Sequence, residues 1–252
     1  MPATDVGPAE RDALVREALA RPWYHTIELA PGVRTPGSVD LRRIASRVLP
    51  SRLDGLRCLD VGTFDGFWAF AMAARGAEVV ATDLARFDET DWPPPNRAEL
   101  AAEAGDRSPG ERFALADAIL GAGVRRVSSR VYDLDPERLG GPFDLVLMGD
   151  LLLHLRDPVG GLQAVRRVLR PGGHLLSLEQ VHVPLTLLAP HRAVAALESR
   201  RSKYLWWVAN LRALRDWIEL AEFERPRLAR VYRLDAVKPQ DRWHVALRAR
   251  RP

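Results

Sequence analysis

Hydrophobic and polar positions follow two rhythms along this chain, and Gly and Pro mark the changes between them. In GPAERDALVREALAR, Leu and Ala recur at helical spacing behind an early Pro, which predicts a helix near residues 8–20. The next stretch, PWYHTIELAPGVRTPGSVD, keeps neither period and is rich in turn formers, so it predicts a long ordered loop or lid. LRRIASRVL predicts a second amphipathic helix, closed by Pro50. Beyond it, RCLDVG, AEVVATDL, VRRVSSRVYDL, FDLVLMGDLLLHL and HLLSLEQV read as five strands, with FWAFAMAARG, RFALADAILG and PVGGLQAVRRVLRPGG as helices between them. LRALRDWIELAEF adds a helix, and RLARVYRL with RWHVALRAR supplies two closing strands in a hairpin-like pair. This alternation predicts an α/β fold whose seven-stranded sheet is mostly parallel, covered by helices on both faces and joined by right-handed crossovers. A ligand of such a sheet sits outside the carboxyl ends of its strands. Residues 1–50 form an N-terminal helical cap and lid in this reading, and residues 51–252 the core. Residues 86–110 read as an irregular insertion, because prolines break helix and strand alike. Three irregular aromatic segments, near 22–38, 88–97 and 182–210, can gather over one end of the sheet.

Composition narrows the class of molecule. With 47% apolar and 28% charged residues in 252, the chain suits one folded domain with a sizeable core. The N-terminal stretch mixes acids with arginines and no run of ~18 apolar residues occurs, so a cytoplasmic protein without a membrane span is expected. The single cysteine, Cys58, excludes an internal disulfide, a multi-cysteine zinc site and a three-cysteine radical cluster, and its apolar run makes it a buried strand residue. A pI near 9.7 raises the question of nucleic acid. Yet all but Lys203 and Lys238 of the basic residues are arginine, interspersed with Asp and Glu. The denser runs ESRRSK and RARRP read as a solvated face and a frayed end. Nucleic acid is therefore a weaker candidate partner than a small molecule, and a monomer or homodimer is expected.

The stretch CLDVGTFDGFWAF carries the chemistry. A dinucleotide loop needs G-x-G-x-x-G, whose middle Gly admits the pyrophosphate to the backbone. Here Phe64 takes that middle place between Gly62 and Gly66, and Asp60 and Asp65 bring negative charge where an anion would lie. A cationic ligand suits the loop better, since a carboxylate pairs with an ammonium through charge-assisted hydrogen bonds. Asp83, at the end of the second strand, can take two ribose hydroxyls.

The run LDVGTFDG, then ATDL, YDL and FDLVLMGDLLLHL before RPGG, resembles the class I S-adenosylmethionine-dependent methyltransferases in order and spacing over about residues 56–180. The resemblance implies a Rossmann-like fold with S-adenosyl-L-methionine as cofactor. It implies that Asp60, Gly62, Thr63, Asp65 and Gly66 hold the methionine moiety, Asp83 with Leu84 the ribose, and Asp133 with Leu134 the adenine. Gly149 would lie beside the sulfonium. Phe64 departs from the Gly usual in the family. A narrower similarity, in PWYHTIEL, MGDLLLHLRDP and the insertion after strand five, is to the branch of the tRNA wobble-uridine carboxymethyl-transferring enzymes. Leu153 stands where those enzymes have a Tyr, and no Lys precedes Lys203, so unmodified S-adenosylmethionine and simple methyl transfer are expected.

Methyl transfer to a hydroxyl or amine gains from a positioned base. His154 at the end of strand four and His25 in the lid are the candidates, with His182 a third; His174 and His244 lie inside predicted strands and read as structural. Trp23, Tyr24, Trp92, His182 and Trp206 are candidate acceptor contacts, either packing anchors of the lids or walls of a flat apolar pocket. No carboxylate and amide cluster suggests a metal. The leading expectation is methyl transfer to an O or N atom of a small-molecule acceptor, such as a natural product. A tRNA-base methyltransferase and a non-catalytic S-adenosylmethionine-binding partner protein are the alternatives.

Overall fold

The computed structural model describes residues 7–105, 107–200, 202–234 and 243–252. Arg201 of the ESRRSK run, Lys238 and the first residue of the RWHVALRAR strand lie outside the described residues. The sheet comprises β1 (Arg57–Val61), β2 (Glu78–Asp83), β3 (Arg125–Ser128), β4 (Phe143–Gly149), β5 (Leu169–Gln180), β6 (Arg227–Arg233) and β7 (Trp243–Arg250). Their order is β6-β7-β5-β4-β1-β2-β3. Neighbours from β5 to β3 run parallel, while β7 is antiparallel to both β5 and β6. The order reverses between β1 and β4, the place where a crevice opens in sheets of this kind. Because β7 runs backwards, its first residues lie at the same edge as the carboxyl ends of the parallel strands.

Both faces of the sheet are covered, and the two-residue period of each strand divides its side chains between two cores. Cys58, Leu147, Leu176 and Ala246 face one core, and Leu59, Val146, Leu175 and Val245 the other. The first core takes the helices α1 (Pro8–Ala20), α2 (Arg42–Val48), α3 (Phe67–Ala73) and, after α4 (Arg97–Ala104), α5 (Glu111–Leu120). Beyond the short α6 (Pro136–Leu139), α7 (Pro158–Val168) covers the second core; α8 (Val183–Leu188) and α9 (Leu211–Leu220) follow, and α9 joins that core. Ile27, Leu29, Val39 and Ile44 share the first core with Phe67 and Ile119, so the N-terminal segment is packed into the sheet's own interior. Cys58 is fully buried, and burial pushes its thiol up to about 12.

Several boundaries differ from the expectations. Within 22–40, Trp23–His25 pairs in parallel with Gly37–Val39, and Glu28–Ala30 pairs with Val33–Arg34, so the lid holds short ladders where an irregular loop was expected. The insertion at 86–110 contains α4, whose apolar Leu100 and Ala104 pack against Trp92. The third strand ends at Ser128 and gives way to a 3₁₀ turn at Val131–Asp133. The helix expected to reach the RPGG glycines stops at Val168, and β5 starts at once, because Pro171 disfavours helix for the residue before it. The tail is paired where a frayed end was expected: β7 continues through Arg250, and the Arg251 amide donates to the Gly173 carbonyl at 2.9 Å. Among the described residues no helix is long and apolar enough to cross a membrane.

Candidate active site

The loop between β1 and α3 is built on three left-handed residues, Gly62, Phe64 and Gly66, with φ of 75°, 52° and 96°. The amides of Gly62 and Thr63 donate to the Thr82 carbonyl of β2 at 2.9 and 3.0 Å, which folds the loop over the strand ends. A Cβ on Gly66 would lie 2.2 Å from the Phe70 ring, so helix and loop meet too closely for a side chain. Phe64 adopts the conformation a glycine would take with less strain. Its amide donates to Asp83 Oδ2 at 2.6 Å, and its ring meets Tyr24 edge-on at 5.6 Å. The lid contact of Phe64 is thus the neighbour of Trp23. Asp83 also accepts the Leu84 amide on Oδ1 at 2.8 Å, and burial raises its pKa.

Asp60 and Asp65 do not line the cleft, contrary to the expectation that both would face a cationic ligand. Asp60, at 1% exposure, accepts the Ala69 amide at 3.0 Å and so holds the first turn of α3; burial raises its carboxyl to about 7. Asp65, also buried, turns beneath the lid. Its Oδ2 accepts the His25 amide at 2.8 Å and its Oδ1 lies 2.5 Å from His25 Nδ1. One carboxylate secures the helix and the other latches the N-terminal segment to the loop.

A cleft of about 740 Å³ opens along the strand ends between β2 and β7. It gathers Tyr24, His25, Gly62, Thr63, Asp83, Leu84, Trp92, Gly149 and His154 from the candidate residues, drawing on all three irregular segments. Gly66, Asp133, Leu134, Trp23, His182 and Trp206 lie outside its lining. Because β3 is short, Arg130, Val131 and Tyr132 reach the cleft wall in place of Asp133 and Leu134, and Leu134 is in the core. Trp23 is an anchor whose Nε1 donates to the Ala18 carbonyl at 2.7 Å. His182 caps α8, its Nδ1 accepting the Leu185 amide at 3.2 Å, and Trp206 Nε1 donates to the Asp91 carbonyl at 2.5 Å. The cleft adds residues not singled out from the sequence: Trp68, Asp150, Gln180, Tyr204 and Tyr232. His244, expected to be structural, lines the cleft with its Nε2 3.1 Å from Asp150 Oδ2. Its place near the start of the last strand was visible in the sequence, while the direction that brings it to the cleft is set by the antiparallel pairing of β7 with β5. Asp150 has φ 47°, directly after Gly149.

A family model described as a methyltransferase domain matches residues 37–228, more than half of the chain. The chain belongs to the methyltransferase-domain family. The chain is 33% identical over 129 residues to the ubiquinone biosynthesis O-methyltransferase of Cereibacter sphaeroides, across 50% of this chain and 42% of that protein. It is 33% identical over 169 residues to the protein of the same name from Dinoroseobacter shibae, across 64% and 59%. The chain thus spans about half the length of the curated relatives it matches. Among solved structures, the N-terminal domain of EvdMO1, in the presence of SAH and D-fucose, aligns with TM-score 0.60 at 20% identity over 96% of this chain and 97% of that one. A Burkholderia thailandensis 1,6-didemethyltoxoflavin-N1-methyltransferase, with its namesake compound and S-adenosylhomocysteine bound, aligns with TM-score 0.53 at 20% identity over 84% and 77%. These two share the fold.

The residues at the cleft fit S-adenosylmethionine, whose demethylated product is bound in the two structural neighbours. Thr63 brings a buried hydroxyl to the cleft wall, beside the Asp60 carboxyl. Asp83 presents its carboxylate to the cleft at the end of β2, where two ribose hydroxyls would reach it. Gly149 leaves room beside the Trp68 indole, since a Cβ there would come within 2.8 Å of Nε1.

Two imidazoles look into the same space. His154 Nδ1 lies 2.9 Å from the Tyr204 carbonyl, which can accept only, so Nδ1 carries the proton and Nε2 keeps its lone pair. Burial lowers the His154 pKa, while the Tyr204 carbonyl and Asp150 pull the other way. His25 is held by Asp65 through the same ring atom.

Proposed function

We propose that the protein transfers the methyl group of S-adenosylmethionine to an O or N atom of a small-molecule acceptor, of the natural-product kind. The observation that carries this reading is the neutral imidazole of His154, its Nε2 lone pair left free by the Tyr204 contact, in the cleft that Asp83 and Gly149 also line. S-adenosylmethionine supplies an electrophilic methyl carbon on a sulfonium. Asp83 with Leu84 orients its ribose, Gly62 and Thr63 its methionine end, and Arg130 to Tyr132 flank its adenine. Tyr24 and Trp92 wall the acceptor, and residues 182–210 act as an acceptor-binding insertion, contributing Ser202, Tyr204 and Leu205 to the cleft. Holding acceptor and donor in line provides most of the acceleration, with effective molarities of ~10⁵ M or more. His154 Nε2 receives the proton the acceptor loses, a contribution of ~10²-fold or more. His25, fixed by Asp65, is a second imidazole within the same wall and is the alternative proton acceptor.

S-adenosylhomocysteine should raise the melting temperature and NAD should not. Incubation of small-molecule acceptors with methyl-labelled donor should transfer label. Binding without transfer to any acceptor would favour a non-catalytic S-adenosylmethionine-binding protein, transfer to tRNA would favour the RNA reading, and no binding of either S-adenosyl compound would remove the cofactor assignment. Lys203, in the basic run that invited the RNA reading, is engaged by Glu99 and Glu103.

A further inference from the structure

Residues 202–206 cross the mouth of the cleft as part of the turn that joins two short antiparallel strands, Ala195–Leu197 and Trp207–Ala209. They are tied on one side to the insertion after β2. Asn96 Nδ2 donates to the Ser199 carbonyl at 3.1 Å and to the Lys203 carbonyl at 3.2 Å. Lys203 Nζ lies 2.9 Å from Glu99 and pairs with Glu103 as well, and the Tyr204 hydroxyl donates to Glu103 at 3.1 Å. On the other side they reach the segment after β4. The Trp206 amide donates to the Leu153 carbonyl at 2.9 Å, and the Tyr204 carbonyl accepts the Nδ1 proton of His154 at the same distance. The helix they grip, α4, places Leu100, Glu103 and Ala104 in the cleft wall.

This geometry joins two functions through one peptide. The carbonyl that selects the tautomer of His154 belongs to the residue whose hydroxyl is held by α4. We propose that residues 202–206 are a strap whose closure on α4 positions His154 with its proton on Nδ1, so that Asn96 and Lys203 are positioning residues coupling α4 to the proton acceptor. Without the strap, the imidazole has no carbonyl at Nδ1 and exchanges tautomers. The ties are exposed ion pairs and a handful of hydrogen bonds, individually weak, so the strap opens and closes readily. The inference rests on the reading of His154 as proton acceptor in an S-adenosylmethionine site.

The test uses the full chain with ¹⁵N-labelled histidine, with S-adenosylhomocysteine as probe, and the His154 signal assigned by its loss in His154→Gln. The wild type with the probe should show one neutral tautomer, protonated at Nδ1. Asn96→Ala and Lys203→Met should each give mixed tautomers at His154, leaving the His25 signal in place. Lys203→Arg, which keeps the ion pairs, should retain the wild-type pattern. Should Asn96→Ala fail to fold, the exposed Lys203→Met decides alone. An unchanged tautomer in the folded variants, with or without weaker probe binding, would overturn the proposal. Failure of the wild type to bind the probe would instead fall on the proposed function.

Discussion

The proposed donor side and the proposed acceptor side of the cleft are made differently. The donor side hangs on β1, β2 and β4: Gly62, Asp83 and Gly149 end parallel strands that pair residue by residue, and the Phe64 amide is pinned to the Asp83 carboxylate. The acceptor side is assembled from segments distant in sequence: Tyr24 and His25 of the lid, Tyr204 of the strap, and His244 of the last strand. Its parts are held by side-chain latches, His25 to Asp65 and His154 to the Tyr204 carbonyl. The contrast suits a fold that carries one donor to different acceptors, with a fixed ribose site and an acceptor wall made of replaceable loops.

The sharpest way to break this comparison is Asp83→Ala, which should abolish the thermal shift given by S-adenosylhomocysteine, a loss of about 3 kcal/mol or more, because a charge-assisted bidentate contact is removed. Retained binding by calorimetry would show that the donor site does not depend on β2. On the acceptor side, His154→Ala should lower turnover by ~10²-fold or more while S-adenosylhomocysteine binds within about twofold of wild type. Burial lowers the His154 pKa, so its lone pair stays available on the acid side of the ordinary histidine value, and the rate should fall only as pH drops below about 6.5. A rate that already declines above that value would assign the proton to another group.

Asp60→Asn probes the scaffold beneath both sides. An unfolded aspartate titrates near ~3.9, and burial raises Asp60 to about 7. The native state therefore holds the extra proton in that window, and stability falls as pH climbs through it. Denaturation at pH 5 and pH 8 should differ by about 3 kcal/mol less in Asp60→Asn than in wild type, and an unchanged difference would place the slope elsewhere. The smallest effect belongs to Phe64→Gly. Relief of a left-handed backbone and loss of the Tyr24 contact offset each other to within about 1 kcal/mol, so the melting temperature should barely move; a large drop would show that the ring anchors the lid.

Much of the scaffold was legible, since each strand carries its own two-residue period and each helix its own stripe. RCLDVG, AEVVATDL and FDLVLMG were found where they lie, and Asp83 and Gly149 with them, because a strand end is a local feature. The ends of α7 and β3 were misjudged, and α4 was missed among prolines and charges because its apolar face is two residues wide. Asp60 and Asp65 show the limit more clearly. Their charge was legible, but its direction depends on a helix start that turns both carboxylates inward. His154 was found at its strand end. His244 was set aside because nothing local says that its strand runs backwards.

By itself the sequence determined the alternation of strands and helices, the glycine-poor loop with its carboxylates, and the acid at the end of the second strand, because backbone period and turn chemistry are written in neighbouring residues. The tertiary structure alone decided which carboxylates face the cleft, which ring nitrogen of His154 meets a carbonyl, and that Lys203 pairs with Glu99 and Glu103. Those depend on partners up to a hundred residues away, and a hydrogen bond has no period along the chain.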